Sequence, residues 1–198
     1  MKLKLYIITG LIGSGKTTVS KLFQKKGFKY INADNVVKEI LQSDKRVKNK
    51  LITKFDNSIL NNNKSISFIL LRNKLIKSKK NKDYIEKIIH KEFYARINVF
   101  LKNTKVKKII LEIPLLETCK KIKKSYKVIM IDSKTKLREL RRAEKSNNSI
   151  GIFKKLNKLQ KTRKFYKNNS NYIITNNGTM KQLRKEFKDF YRSNIVEN

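Results

Sequence analysis

Between Ile8 and Thr18 the chain reads ITGLIGSGKTT, and within it Gly10-x-x-x-x-Gly15-Lys16-Thr17 has the spacing of a phosphate-binding loop. The residue types follow from that chemistry. Gly10, Gly13 and Gly15 let backbone N–H groups point inward around phosphate oxygens, and a helix starting beyond them adds partial positive charge. Lys16 can reach the β and γ oxygens of a nucleoside triphosphate, and Thr17 can ligate magnesium. Ser14 and Thr18 complete the set assigned to the nucleotide. The motif therefore implies ATP and Mg²⁺ but leaves the acceptor of the phosphoryl group open.

Other residues bear on the acceptor. Asp34 follows the strand-like run FKYINAD (Phe28–Asp34), at the sheet edge where ligands of open α/β proteins gather. A carboxylate there could take a proton from an acceptor hydroxyl, or could merely cap a helix beginning near Asn35. Arg138, Arg141, Arg142 and Lys145 lead into SNNS (Ser146–Ser149). Cations on a mobile segment can close over a nucleotide, although in so basic a chain a cationic helix end is also ordinary solvated surface. His90, the only histidine, lies on a largely apolar helix face and reads either as a core residue or as a lining of the substrate site. Glu112 could order a metal-bound water or be a surface residue at a strand end. Cys119, the only cysteine, reads as inert.

The elements that must position these residues alternate. Leu3, Leu5, Ile7 and Ile8 form a buried-strand pattern ahead of the loop, and Val19, Leu22 and Phe23 give helical spacing over Lys16–Lys26, with Gly27 at the C-terminal cap. Phe28–Asp34 completes a βαβ unit with a right-handed crossover. DNVVKEILQ and Lys64–Lys77 look helical, Phe55–Ser65 looks like a loop, and Asn81–Leu101 is the longest helix. Strands follow at Lys108–Ile113, closed by Pro114, and at Tyr126–Asp132. Helical patterns cover Lys134–Lys145 and Gly151–Tyr166, then come a fifth strand at Asn171–Thr175 and a closing helix over Thr179–Ser193. The fold class is α/β, a five-stranded parallel sheet flanked by helices, with residues 35–104 as a helical insertion into a core of about 1–34 and 105–198.

Composition narrows the function classes. The chain has 198 residues, 39% of them hydrophobic, enough for a real core, and no apolar run approaches membrane-spanning length. The apolar start is too short for a signal-peptide core, so a soluble cytoplasmic protein without a membrane partner is expected. A single cysteine excludes an internal disulfide framework. Net charge is +35, from nine arginines and 41 lysines scattered along every segment, a distribution that suggests compositional bias more than a nucleic-acid surface. Such a field still suits an anionic small substrate. A basic nucleic-acid-binding ATPase is the competing class, and would show binding that falls steeply with salt.

ITGLIGSGKTTVSKLF, INADNVVKEIL, IIHKEF, LEIPLLE, VIMID and IITNNGTMKQL, in that order, resemble the dephospho-coenzyme A kinase family over most of the chain. The resemblance implies a single kinase domain with a nucleotide core, a helical region for the coenzyme A precursor and a lid at about 138–165, and a monomer is expected. It implies transfer of the ATP γ-phosphoryl to the ribose 3′-hydroxyl of dephospho-coenzyme A. The family's presumed base falls on Asp34, and its lid cations fall on Arg141 and Lys145 with Arg142 as a neighbour; His90 falls in the substrate region. Another small P-loop kinase, for instance one acting on a nucleoside monophosphate, is the nearest alternative. The chain departs from the family at Asn32, where an aspartate is common, at Lys91, where proline is, and at Lys145, which lacks the guanidinium fork.

Overall fold

Five apolar runs become the strands β1 (Lys4–Thr9), β2 (Lys29–Asn32), β3 (Lys108–Glu112), β4 (Lys127–Asp132) and β5 (Tyr172–Thr175) of one parallel sheet, ordered β2-β3-β1-β4-β5. They belong to a computed structural model that describes residues 3–145 and 150–196. β1 is central and buried from Leu5 onward, as a strand covered on both faces must be. Strand order reverses at β1, with β3 on one side and β4 on the other, and the carboxyl ends at such a switch point are where α/β sheets hold ligands. In register, Glu112 lies beside both Ile8 and Asn32, and Asp132 beside Thr175.

The strand order adds two details to the sequence reading. β1 and β2 are joined through α1 (Lys16–Gln24), but β3 lies between them, so the first crossover skips a strand and β2 is an edge. β2 also stops at Asn32, and α2 (Ala33–Ser43) begins at once. Asp34 therefore lies just past β2, as expected, but within the first turn of α2 and so not at its cap.

Helices α6 (Thr135–Lys145), α7 (Ile150–Leu159), α8 (Arg163–Asn168) and α9 (Met180–Tyr191) complete this unit. The single helix expected over Gly151–Tyr166 is broken, because the Thr162 side chain accepts from Phe165 N and starts α8 afresh. α9 opens with a reciprocal capping box between Thr179 and Gln182 and buries Leu183 and Phe187. The Phe23 ring of α1, fully buried, meets Tyr6, Phe28, Phe187 and Tyr191. Truncating such a ring to alanine costs about 3–5 kcal/mol.

The chain divides into two compact units, Met1–Asn32 with Lys105–Lys120 and Lys124–Asn198, and Ala33–Thr104 with Lys121–Lys123. The second is helical: α2, α3 (Lys45–Phe55), α4 (Phe68–Lys77) and α5 (Lys79–Asn103). On α5, Ile85, Ile89, Phe93, Ile97 and Leu101 recur every fourth residue as one buried stripe. α3 was not apparent in the sequence because lysines dilute its buried Val47, Leu51 and Phe55; Asp44 starts it by accepting from Arg46 N and Val47 N. The polar run after it is less open than its composition suggests. A 3₁₀ turn at Asp56–Ile59 buries Ile59 completely, and Leu60 bridges to Ile66. Among the described residues no helix is long and apolar enough to cross a membrane.

Candidate active site

The phosphate loop leaves β1 at Gly10, and the Lys16 ammonium folds over it to donate to the carbonyls of Gly10 (3.0 Å) and Leu11 (3.3 Å). Gly13 (φ 79°) and Gly15 (φ 96°) adopt the left-handed region, and a Cβ at either would collide, at Gly13 with the Arg138 carbonyl and at Gly15 with the Asn176 amide. Two constraints thus demand glycine at each position. Gly15 is also the N-cap of α1 and has no side chain to occupy the first-turn amides, which leaves them for a phosphate.

The loop is clamped from β4, β5 and the helices between them. Ile12 N donates to Gln160 Oε1 (2.7 Å), while Ile12 O accepts from Arg138 Nη1 (3.0 Å). Arg138 also donates to Asn157 Oδ1 and lies over the Phe153 ring. It is 2% exposed, and burial lowers its pKa. Arg138 is therefore neither a solvated cation nor one free to close over a nucleotide; it is a buried tie between α6 and the loop. Arg141, one turn on, donates from Nη1 to Asn176 O (3.0 Å) and Ser133 Oγ (3.1 Å) and from Nη2 to Asn176 Oδ1 (3.3 Å). Asn176 Nδ2 in turn donates to Ser14 O (2.8 Å), so Arg141 reaches the loop through one intermediary. Asn177 Oδ1 accepts from Lys134 N.

On the other side the contacts run between side chains. Thr17 Oγ1 donates to Glu112 Oε1 at 2.9 Å. Glu112 is 5% exposed, which removes the surface reading, and its Oε2 accepts from Tyr30 and Asn32. The other strand-end carboxylate, Asp132, is already matched: Arg163 donates to both its oxygens (2.7 and 2.6 Å) and the Lys167 ammonium lies 3.5 Å away. Arg163 first, against the opposing effect of burial, lowers the Asp132 pKa. Of the two, Glu112 is the one turned to the loop threonine.

Among the remaining sequence candidates, Ser14 is buried in the loop, Thr18 half-buried in the first turn of α1 and Arg142 half-buried on α6. The Lys145 side chain and Ser146–Ser149, the middle of the expected lid, lie outside the described residues. In the helical unit Asp34 is exposed on α2. His90 is half-buried on α5, edge-on to Tyr94, and burial together with Lys121 and Lys82 depresses its pKa to about 4. It is a neutral imidazole near pH 7. Cys119 is buried, which pushes its thiol up to about 12, in keeping with an unreactive side chain.

Sequence reasoning missed Gln160, Asn157 and Tyr30. Gln160 lies at the unforeseen break between α7 and α8, and Tyr30 reads as one more strand aromatic; neither carries a local signal. The role of Asn176 was partly visible, since it begins the NNG triplet just past the last strand.

Residues 5–182 match the family model described as Dephospho-CoA kinase. A dephospho-CoA kinase of Buchnera aphidicola subsp. Schizaphis graminum is 32% identical over 174 residues, 87% of this chain and 83% of that protein. Among solved structures, a protein from Thermus thermophilus superposes with a TM-score of 0.79 at 18% identity, covering 98% of this chain and 99% of its own. A dephospho-CoA kinase from Campylobacter jejuni gives 0.67 at 23% identity, covering 95% of each chain. At those identities the structural likeness speaks for the fold.

Proposed function

The chain belongs to the dephospho-CoA kinase family, and on that premise we propose how its residues divide the transfer of the ATP γ-phosphoryl to the ribose 3′-hydroxyl of dephospho-coenzyme A, the last step of coenzyme A synthesis. Loop amides around Gly10, Gly13, Ser14 and Gly15, with Lys16 and Thr18, hold the β and γ phosphates. Lys16 exchanges its loop carbonyls for phosphate oxygens, stabilising charge as it shifts toward the leaving group. Arg141, fixed on Asn176, adds positive charge on the β5 flank, with Arg142 and Lys145 further along α6. Asp34 takes the proton of the 3′-hydroxyl, and His90, neutral, offers a hydrogen bond to the acceptor substrate.

The observation that carries the assignment is the Thr17 to Glu112 hydrogen bond beside the loop. Magnesium prefers oxygen ligands, takes one or two from protein and the rest from phosphate and water, and needs no cage. A threonine hydroxyl and an adjacent buried carboxylate fit that demand. Among the described residues no cluster of three histidine, cysteine or acidic ligands competes for the role. Thr17 would ligate the ion directly and Glu112 would hold Thr17 and the metal's waters; the ion supplies charge neutralisation at the phosphates. We further read the protein as a cytoplasmic monomer whose charge serves anionic small substrates rather than nucleic acid.

The test is mass spectrometry of dephospho-coenzyme A incubated with ATP, Mg²⁺ and protein, beside Asp34→Asn and a panel of nucleoside monophosphates. One added phosphoryl on dephospho-coenzyme A, and a loss of about 10²–10⁴-fold in rate for Asp34→Asn, is expected. Phosphorylation of a monophosphate instead would overturn the acceptor, and a fully active Asp34→Asn would overturn the base.

A further inference from the structure

Glu112 is gripped at each oxygen by different partners. Oε1 accepts from Thr17 at 2.9 Å, while Oε2 accepts from the Tyr30 hydroxyl at 2.5 Å and from Asn32 Nδ2 at 3.2 Å. Asn32 Nδ2 also donates to the Tyr30 oxygen at 2.9 Å, which closes a triangle. Tyr30 and Asn32 are two apart on β2 and so share a face, and register places Asn32 directly beside Glu112.

The donor count of this triangle is specific. Tyr30 has one proton, and Glu112 takes it. The Tyr30 oxygen then needs a donor of its own, and the Asn32 amide supplies it while a second contact reaches the carboxylate. A carboxylate at position 32 could do neither, and would bring a second anionic oxygen against Oε2 in a largely buried place.

We propose that Tyr30 and Asn32 are positioning residues for the metal: they pin Glu112 Oε2 so that Oε1 is presented to Thr17 and its magnesium ion, and the amide at 32 is what lets one carboxylate serve alone. The inference rests on the assignment of Thr17 and Glu112 to the metal. In this reading neither Tyr30 nor Asn32 would ligate the ion. Their effect is on the orientation of a group beside it, the kind of outer contact whose loss weakens metal binding without removing a ligand. With a single carboxylate in the set, the nucleotide phosphates provide most of the ion's ligands, so metal and nucleotide bind as a pair.

The experiment measures Mn²⁺ binding to the whole protein with ADP by electron paramagnetic resonance, Mn²⁺ being the probe for Mg²⁺. It uses wild type, Tyr30→Phe, Asn32→Asp and Glu112→Gln, with metal-free ADP affinity and thermal unfolding alongside. Tyr30→Phe is expected to weaken Mn²⁺ about tenfold, to leave metal-free ADP affinity unchanged, and to recover most of its lost rate in excess Mg²⁺. Asn32→Asp is expected to unfold at lower temperature than wild type without metal and to gain more than wild type from Mn²⁺. If Tyr30→Phe and Asn32→Asp bind Mn²⁺ as wild type does while Glu112→Gln loses it, the positioning role is overturned and the metal assignment stands. Glu112→Gln binding Mn²⁺ like wild type would instead overturn the metal assignment. A Tyr30→Phe protein that loses ADP affinity and Mn²⁺ affinity equally marks Tyr30 as merely structural. Should Tyr30→Phe fail to fold, Asn32→Ser, which removes both amide contacts, reads the same quantity, and unaltered Mn²⁺ affinity there counts against the proposal.

Discussion

The two flanks of the phosphate loop are held by different kinds of bond. Toward β4 and β5, side chains seize the main chain: Gln160 and Arg138 take Ile12 N and O, and Asn176 takes Ser14 O. Toward β3 and β2 the bonds join side chain to side chain, from Thr17 through Glu112 to Tyr30 and Asn32. A main-chain grip fixes the shape of the loop itself, whatever the loop side chains are. A side-chain relay leaves that shape alone and sets only where a carboxylate points. The first flank should therefore answer substitution mainly in stability, and the second mainly in catalysis and metal dependence.

Three substitutions sharpen or break this contrast, and a fourth sets a residue outside both flanks beside them. Lys16→Ala, which acts in the loop between the flanks, should lower kcat/KM by about 10³-fold with little change in unfolding temperature; steady-state kinetics and a thermal melt check both. Glu112→Gln should cost about 10²-fold in rate, partly recovered by raising Mg²⁺. Equal loss at every Mg²⁺ concentration would erase the distinction between flanks. Asn176→Ala takes the side-chain donor from the buried Ser14 carbonyl and removes one of the contacts of Arg141, that to Asn176 Oδ1, and denaturant unfolding should report a loss of about 1–3 kcal/mol. The contrast fails if Asn176→Ala is as stable as wild type. The smallest effect lies in the helical unit. The folded His90 pKa is held at about 4 by burial, against an ordinary imidazole value of 6.5, so the unfolded chain binds the extra proton first. Its contribution is whole above pH 6.5 and is lost as pH falls toward 4. His90→Gln should flatten that part of the stability profile, leaving the fall below pH 3.8 that depressed carboxylates such as Asp132 produce.

What the sequence disclosed follows the same division. The loop was legible because its chemistry is local: glycine, lysine and threonine at fixed spacing between a strand and a helix. The strands were legible because apolar runs such as VIMID are short and bounded. The clamps were not, because Gln160 and Ile12 meet only once the sheet order is known, and a helix break set by the Thr162 cap decides where Gln160 falls. Glu112 stood undecided for a related reason. Its partner Tyr30 arrives by strand register, with β3 inserted between β1 and β2, which periodicity alone cannot reveal. α3 escaped notice because lysine is as compatible with a helix surface as with a loop, and three apolar residues among eleven gave a faint signal.

The insertion of β3 also governs the order in which the molecule can be built. β1 pairs with β3 and β4, both later in the chain, Lys4 meeting Lys108 and Tyr6 meeting Lys127. During synthesis the first strand leaves the ribosome long before either neighbour exists, while the helices between β2 and β3 can form from contacts close in sequence. The apolar run LYII must wait, exposed, until the roughly 100 residues that separate it from β3 have been made. The abundant lysines around it then act while the chain is growing, as charges that keep unfinished copies apart.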